Sequence, residues 1–211
     1  VVEFDEEVFP KSDGSGVLDT SDVTLSLEGG NATLTNPKPS SFSKNGAVYT
    51  LGLALSGKVN GFEKVTLQVL YNAIYDSLGN VSSPLQAVDN TLLIDQTAPT
   101  FASLIVENDN SSVNVAFSNP VYNATGGSGT LDVEDFTISM VGGVAALKSS
   151  TPSSMTYVDS SNTYKLGLSL EGIPDGYEVI TLAPVENSIY DAANNVANVA
   201  QARSKVNLID K

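Results

Sequence analysis

Cysteine, histidine and tryptophan are all missing from this chain. Without cysteine there are no disulfides, no thiolate metal sites and no thiol nucleophile. Without histidine the usual general base at neutral pH is gone, and so is the commonest transition-metal ligand. Positive charge is scarce: 10 Lys and Arg face 24 Asp and Glu, for a net charge of −14. Such a surface repels phosphates at long range, so nucleic acid is not an expected partner. No apolar run approaches the roughly 20 residues of a membrane helix, so membrane insertion is not expected. No secretory leader is read at the start. The chain opens inside a strand-like pattern, as a mature or excised piece would.

What the chain does contain is the same text twice. Ser15–Gly30 reads SGVLDTSDVTLSLEGG and Ser128–Gly143 reads SGTLDVEDFTISMVGG. Tyr49–Gly57, YTLGLALSG, is answered by Tyr164–Gly172, YKLGLSLEG. Asn72–Asn80, NAIYDSLGN, is answered by Asn187–Asn195, NSIYDAANN. From Ser15 to Ser128 the offset is 113 residues, and from Tyr49 to Tyr164 it is 115. A two-residue length change between Gly30 and Tyr49 accounts for the difference. A repeat this long is a whole domain. The expected domains are residues 1–95 and 96–211.

Apolar residues alternate with period two. Tyr164, Leu166, Leu168 and Leu170 form one face, as do Tyr49, Leu51, Leu53 and Leu55. Val65, Leu67 and Val69 alternate, and so do Val113, Val115 and Phe117. These predict half-buried antiparallel strands. Turn signals at Gly29-Gly30, Asn45-Gly46, Gly142-Gly143 and Asp175-Gly176 separate them. About seven strands per repeat at that spacing predict two β-sandwiches, an all-β chain. Asp95-Gln-Thr-Ala-Pro-Thr100 is the expected linker, stiffened by Pro99. Repeat one lacks a counterpart of Phe101–Val106, because Val2 and Phe4 match Val115 and Phe117. Either the chain is cut there, the simpler expectation, or the open edge accepts a donated strand, from a neighbouring segment or from another copy of the chain.

Several of these pieces resemble bacterial immunoglobulin-like modules, which occur in tandem in large surface adhesins and S-layer-type proteins. The matching segments are Phe117-Ser-Asn-Pro-Val121, Leu131-Asp-Val-Glu-Asp-Phe136, Tyr164–Leu170, Asp175-Gly-Tyr-Glu178, Ile189-Tyr-Asp-Ala-Ala-Asn-Asn195 and the Asp95-Gln-Thr-Ala-Pro99 joint. They cover both repeats. The family pattern has Gly where Asn194 stands; Gly79 keeps it, and Asn also tolerates the left-handed conformation. The resemblance implies two tandem Ig-like sandwiches, an extracellular, cell-surface location and a stalk or spacer role, sometimes with calcium at the joints.

The acidic motifs offer two chemistries. Leu131-Asp-Val-Glu-Asp135 and Leu18-Asp-Thr-Ser-Asp22 carry carboxylates three apart. They suit a cation, or an N-capped helical turn with a capping box, which we favour. Tyr75 and Tyr190 are expected as core tyrosines at a corner, followed by Asx turns at Asp76 and Asp191. Following strand directions, Asp95, Asn119 and Asp191 would converge at the joint, with Glu6 and Asp76 at the equivalent pole of repeat one. Calcium takes six to eight oxygens, and such a pole could supply them.

The expected function is a structural spacer of an extracellular bacterial surface protein or adhesin, its partners being neighbouring modules. The alternative is direct binding, to a glycan, a surface or another copy through the open edge of repeat one. An enzyme is not expected, since no acid is placed in an apolar pocket and no Ser-His-Asp set exists.

Overall fold

The computed structural model describes residues 1–83, 87–159 and 161–211. The chain divides into two compact units, Val1–Thr97 and Ala98–Lys211. The first therefore includes Gln96 and Thr97. The reason is local: Gln96 N–H donates to the Val59 carbonyl at 2.9 Å, and the Thr97 hydroxyl donates to the same carbonyl at 2.8 Å.

Unit 1 is built from β1 (Val2–Glu3), β2 (Val23–Glu28), β3 (Thr33–Leu34), β4 (Phe42–Asn45), β5 (Val48–Leu51), β6 (Leu55–Ser56), β7 (Lys64–Val69) and β8 (Ala87–Leu92). They form two three-stranded sheets, β1-β5-β4 and β2-β7-β8, and the pair β3-β6. Unit 2 contains β9 (Phe101–Val106), β10 (Ser112–Phe117), β11 (Phe136–Val141), β12 (Ala146–Leu147), β13 (Met155–Asp159), β14 (Thr163–Gly167), β15 (Leu170–Glu171), β16 (Val179–Pro184) and β17 (Lys205–Asn207). Its sheets are β13-β14-β10-β9, β11-β16-β17 and β12-β15. Every pairing among the described strands is antiparallel. The described chain is all-β, consistent with a β-sandwich.

The two units use corresponding residues. Val23 lies opposite Val69 in unit 1, and Phe136 lies opposite Pro184 in unit 2. Val2 faces Tyr49 as Val115 faces Tyr164. In unit 2 the far edge of β10 is covered by β9, whereas β1 pairs only with β5 among the described strands. Register also locates the length change. Lys44 pairs with Tyr49, and Tyr157 pairs with Tyr164. Lys44 and Tyr157 are thus counterparts, and the two extra residues fall in the hairpin that follows Tyr157.

Period-two burial sets the cores. Val113, Val115 and Phe117 of β10, and Ile180, Leu182 and Pro184 of β16, alternate with less buried neighbours. Val113, Val115, Phe117, Ile180 and Leu182, with Phe136, Ile138, Leu166 and Ile189, form the centre of unit 2. Leu25, Tyr49, Leu67, Val69 and Ile74 do the same in unit 1.

Two expectations are corrected. The single strands expected over Tyr49–Leu55 and Tyr164–Leu170 are each two: β5 stops at Leu51 and Leu55 pairs with β3. β14 stops at Gly167 and Leu170 pairs with β12 instead, so the chain changes sheets between them. Gly167 N–H donates to the Ser154 carbonyl at 2.8 Å, and Leu168 N–H donates to the Ser111 carbonyl at 2.8 Å. A Cβ at Gly167 would lie 2.4 Å from the Ser154 hydroxyl oxygen, so the kink is closely packed. Tyr75 and Tyr190, expected in the core, are half-buried; Ile74 and Ile189, each 0% exposed, hold the core positions. The tyrosine hydroxyls still fasten the corner. Tyr75 donates to the Asn72 carbonyl at 3.1 Å and Tyr190 to the Asn187 carbonyl at 2.8 Å.

Candidate functional site

The chemistry of this chain lies in its carboxylates, and the structure shows what they hold. Asp132 caps a short 3-10 turn, Val133–Asp135, with a complete capping box. Its Oδ1 accepts from Glu134 N–H, and Asp135 Oδ2 accepts from Asp132 N–H, both at 2.8 Å. Unit 1 repeats this: Asp19 Oδ1 accepts from Ser21 N–H at 2.7 Å and Asp22 Oδ2 from Asp19 N–H at 2.8 Å. These carboxylates serve backbone donors, as the capping reading expects.

Asp76 and Asp191 close loops in the same manner. Asp191 Oδ1 accepts from the N–H groups of Ala193 and Asn195 at 2.8 Å, and Oδ2 from the Asn195 amide at 2.9 Å. Asp76 Oδ1 accepts from Leu78 and Asn80 N–H at 2.8 Å, and Oδ2 from the Asn80 amide at 2.6 Å. The Asn80 amide holds the Asp76 carboxyl below the usual range; burial opposes this and the loop N–H groups add to it. A carboxylate offers about four acceptor positions, so three bonds leave about one for a cation. The left-handed position of this loop is filled by Gly79 at φ 82° and by Asn194 at φ 72°.

The remaining candidate ligands are placed as follows. Glu6 and Asp76 line one polar cavity of about 210 Å³ in unit 1, with Asp5 and Asn80. Asn119 is half-buried just before Tyr122, which exchanges two 2.8 Å backbone bonds with Tyr190 beside Asp191. Asp95 lies at the other end of unit 1, where its Cβ would stand 3.2 Å from a Cβ on Gly61. Its Oδ1 accepts from Thr97 N–H at 2.7 Å. Among the described residues no three acidic side chains gather in a metal-holding group.

The residues that sequence reasoning missed are Glu63 and Glu178. Both are 0% exposed. Glu63 Oε1 accepts from Asn31 N–H at 2.7 Å and Ala32 N–H at 2.9 Å, and Oε2 from Asn60 N–H at 3.0 Å. Glu178 Oε1 accepts from Val144 at 3.0 Å and Ala145 at 2.9 Å, and Oε2 from Asp175 and Gly176 at 3.1 Å. Burial pushes both carboxyls up. The backbone donors outweigh it and hold each at about 2. Gly30 and Gly143 make room: a Cβ at either would lie 2.1 Å from the glutamate Cδ. Each glutamate therefore ties a Gly-Gly turn to the turn that precedes β7 or β16. The available signal was repetition: Gly-Gly followed far downstream by Gly-aromatic-Glu, in both halves.

Ion pairs are few. Among the described residues there are two: Lys44 with Glu7 at 2.9 Å and Lys165 with Glu107 at 3.6 Å. Unit 2 also holds a cavity of about 310 Å³ whose walls include Tyr122, Tyr157 and Tyr164. Among the described residues no helix is long and apolar enough to cross a membrane. Comparison with known proteins finds no matching family, no matching curated protein and no matching solved structure.

Proposed function

We propose that the chain is a pair of tandem Ig-like β-sandwich modules that act as a spacer in an extracellular bacterial surface protein or adhesin, without catalytic activity. One observation carries this reading. Each unit buries a glutamate whose oxygens are bonded to backbone N–H groups of two turns, and three of the bonds recur at corresponding positions in both units. A module that directs its buried acid to its own turns gains rigidity from it and leaves no free acid for chemistry. The sequence resemblance supports the family and the location.

Calcium at the joint, through Asp95, Asn119 and Asp191, is the alternative to a module locked by its own carboxylates. The loop bonds of Asp191 and Asp76 favour the form in which the loops hold themselves without metal.

A spacer bears load. In single-molecule extension the chain is expected to give two separate unfolding events. Each would release roughly 3.3–3.6 Å per residue of its unit. Extension without resolved force peaks would contradict the spacer reading and turn attention to direct binding.

A further inference from the structure

The tyrosine-lined cavity of unit 2 has a counterpart in unit 1, and the comparison says what it would hold. In unit 1 the Lys44 ammonium stands 5.7 Å from the centre of the Phe9 ring and 5.9 Å from that of Tyr49. Glu7 pairs with it at 2.9 Å. Each of these positions can be followed into unit 2. Phe9 bridges Tyr75 as Tyr122 bridges Tyr190, so Phe9 corresponds to Tyr122. Tyr49 corresponds to Tyr164, and strand register makes Tyr157 the counterpart of Lys44. Glu7 becomes Pro120.

Unit 2 thus keeps both ring positions, loses the cation and gains a third ring. The rings of Tyr157 and Tyr164 lie 5.1 Å apart, tilted by 56°. Tyr157 is 51% exposed, while Tyr164 is buried. The cavity of about 310 Å³ is bounded by these rings with Tyr122, Pro120, Met155 and Asn162. Burial first, then the neighbouring Tyr157 and Tyr122 hydroxyls, push the Tyr164 phenol up, which keeps it neutral.

We propose that this cavity binds an alkylammonium group, such as a lysine side chain presented by a partner, over the faces of Tyr122, Tyr157 and Tyr164. The ring quadrupole attracts a cation placed over its face, and the attraction grows as water is removed. Among the described residues no charged side chain lines the cavity, so none of them neutralises a ligand's charge. The net charge of −14 raises the local concentration of cations. A sugar would need several polar partners in the walls. Among the described residues, Asn162 and Thr130 are the lining residues with polar side chains other than the tyrosines. The proposal is independent of the spacer reading, since a spacer module could carry such a site or lack it.

The test is an NMR titration of the whole chain, following the Tyr157 and Tyr164 ring resonances. The probes are Nα-acetyl-lysine methylamide, its Nε-trimethyl form, the norleucine analogue of the same length, and methyl β-glucoside. The two ammonium probes are expected to give saturable shifts, and norleucine and the glucoside none. Tyr157→Lys rebuilds the unit 1 arrangement and should abolish binding, whereas Tyr157→Phe should retain it. Because Tyr157 is half exposed, both variants should keep the dispersed spectrum of the parent. No saturable shift at tens of millimolar would overturn the proposal. So would an equal response to norleucine, a response to the glucoside alone, or undiminished binding by Tyr157→Lys.

Discussion

Glu63 and Glu178 show how one side chain can set the pH range of a fold. Their carboxyls sit at about 2 when folded, against an ordinary value of 4.5. A depressed folded value means that the unfolded state binds more protons. The stabilisation is therefore complete above about pH 4.5 and is lost as pH falls toward 2. Asp22 and Asp135, pushed up chiefly by burial, act in the opposite sense. The expected outcome is a urea midpoint that drops steeply between pH 4.5 and 2. Glu178→Gln should lower the pH 7 midpoint and flatten that drop for unit 2. A Glu178→Gln profile parallel to the parent would sink this account of the acid. The repeated Gly-aromatic-Glu marked the position of such a residue but not its role. In Asp175-Gly-Tyr-Glu178 the glutamate reads as surface charge, because its partners are backbone N–H groups that a sequence does not display. Tyr157 is hidden for a related reason: its equivalence to Lys44 depends on strand register.

At the scale of single elements, the strands and turns were largely written in the residues. Alternation marked β5, β7, β10 and β14, and paired glycines marked turns whose φ is positive at Gly29, Gly30, Gly142 and Gly143. The capping boxes were legible too, since Asp at the cap and Asp three later have a local partner. Replacing Asp132 by Ala should cost about 0.5–2 kcal/mol, with Asn at that position nearly neutral. Chemical denaturation of the three proteins measures this, and equal losses for Ala and Asn would assign the effect to charge instead. The sheet change after Gly167 was not legible. Leu168 and Leu170 keep the alternation, while the change of partner from β10 to β12 and the close approach of Ser153 and Ser154 to Gly167 appear only in three dimensions. The tyrosine corner was half legible. The hydroxyl bonds came from a familiar sequence pattern, but burial went to the neighbouring Ile74 and Ile189.

At the scale of the whole molecule, two compact units with separate cores predict separable stability. Ile189→Ala should remove about 2–5 kcal/mol, the usual cost of emptying a buried isoleucine site. Its effect should fall on the unfolding of unit 2, leaving the unit 1 transition in place; a calorimetric scan resolving both checks this. The central claim is that each module is locked by its own carboxylates, bonded to its own turns. Thermal unfolding with millimolar calcium, and then with excess chelator, tests that claim most directly. A ligand held only by the folded state raises the melting temperature by mass action. The account predicts transitions that calcium and chelator leave in place, for the parent and for Asp191→Ala alike, with Asp191→Ala lower through its lost loop bonds. A rise of many degrees with calcium, abolished by Asp191→Ala or Asp95→Ala, would contradict it and make the metal the lock.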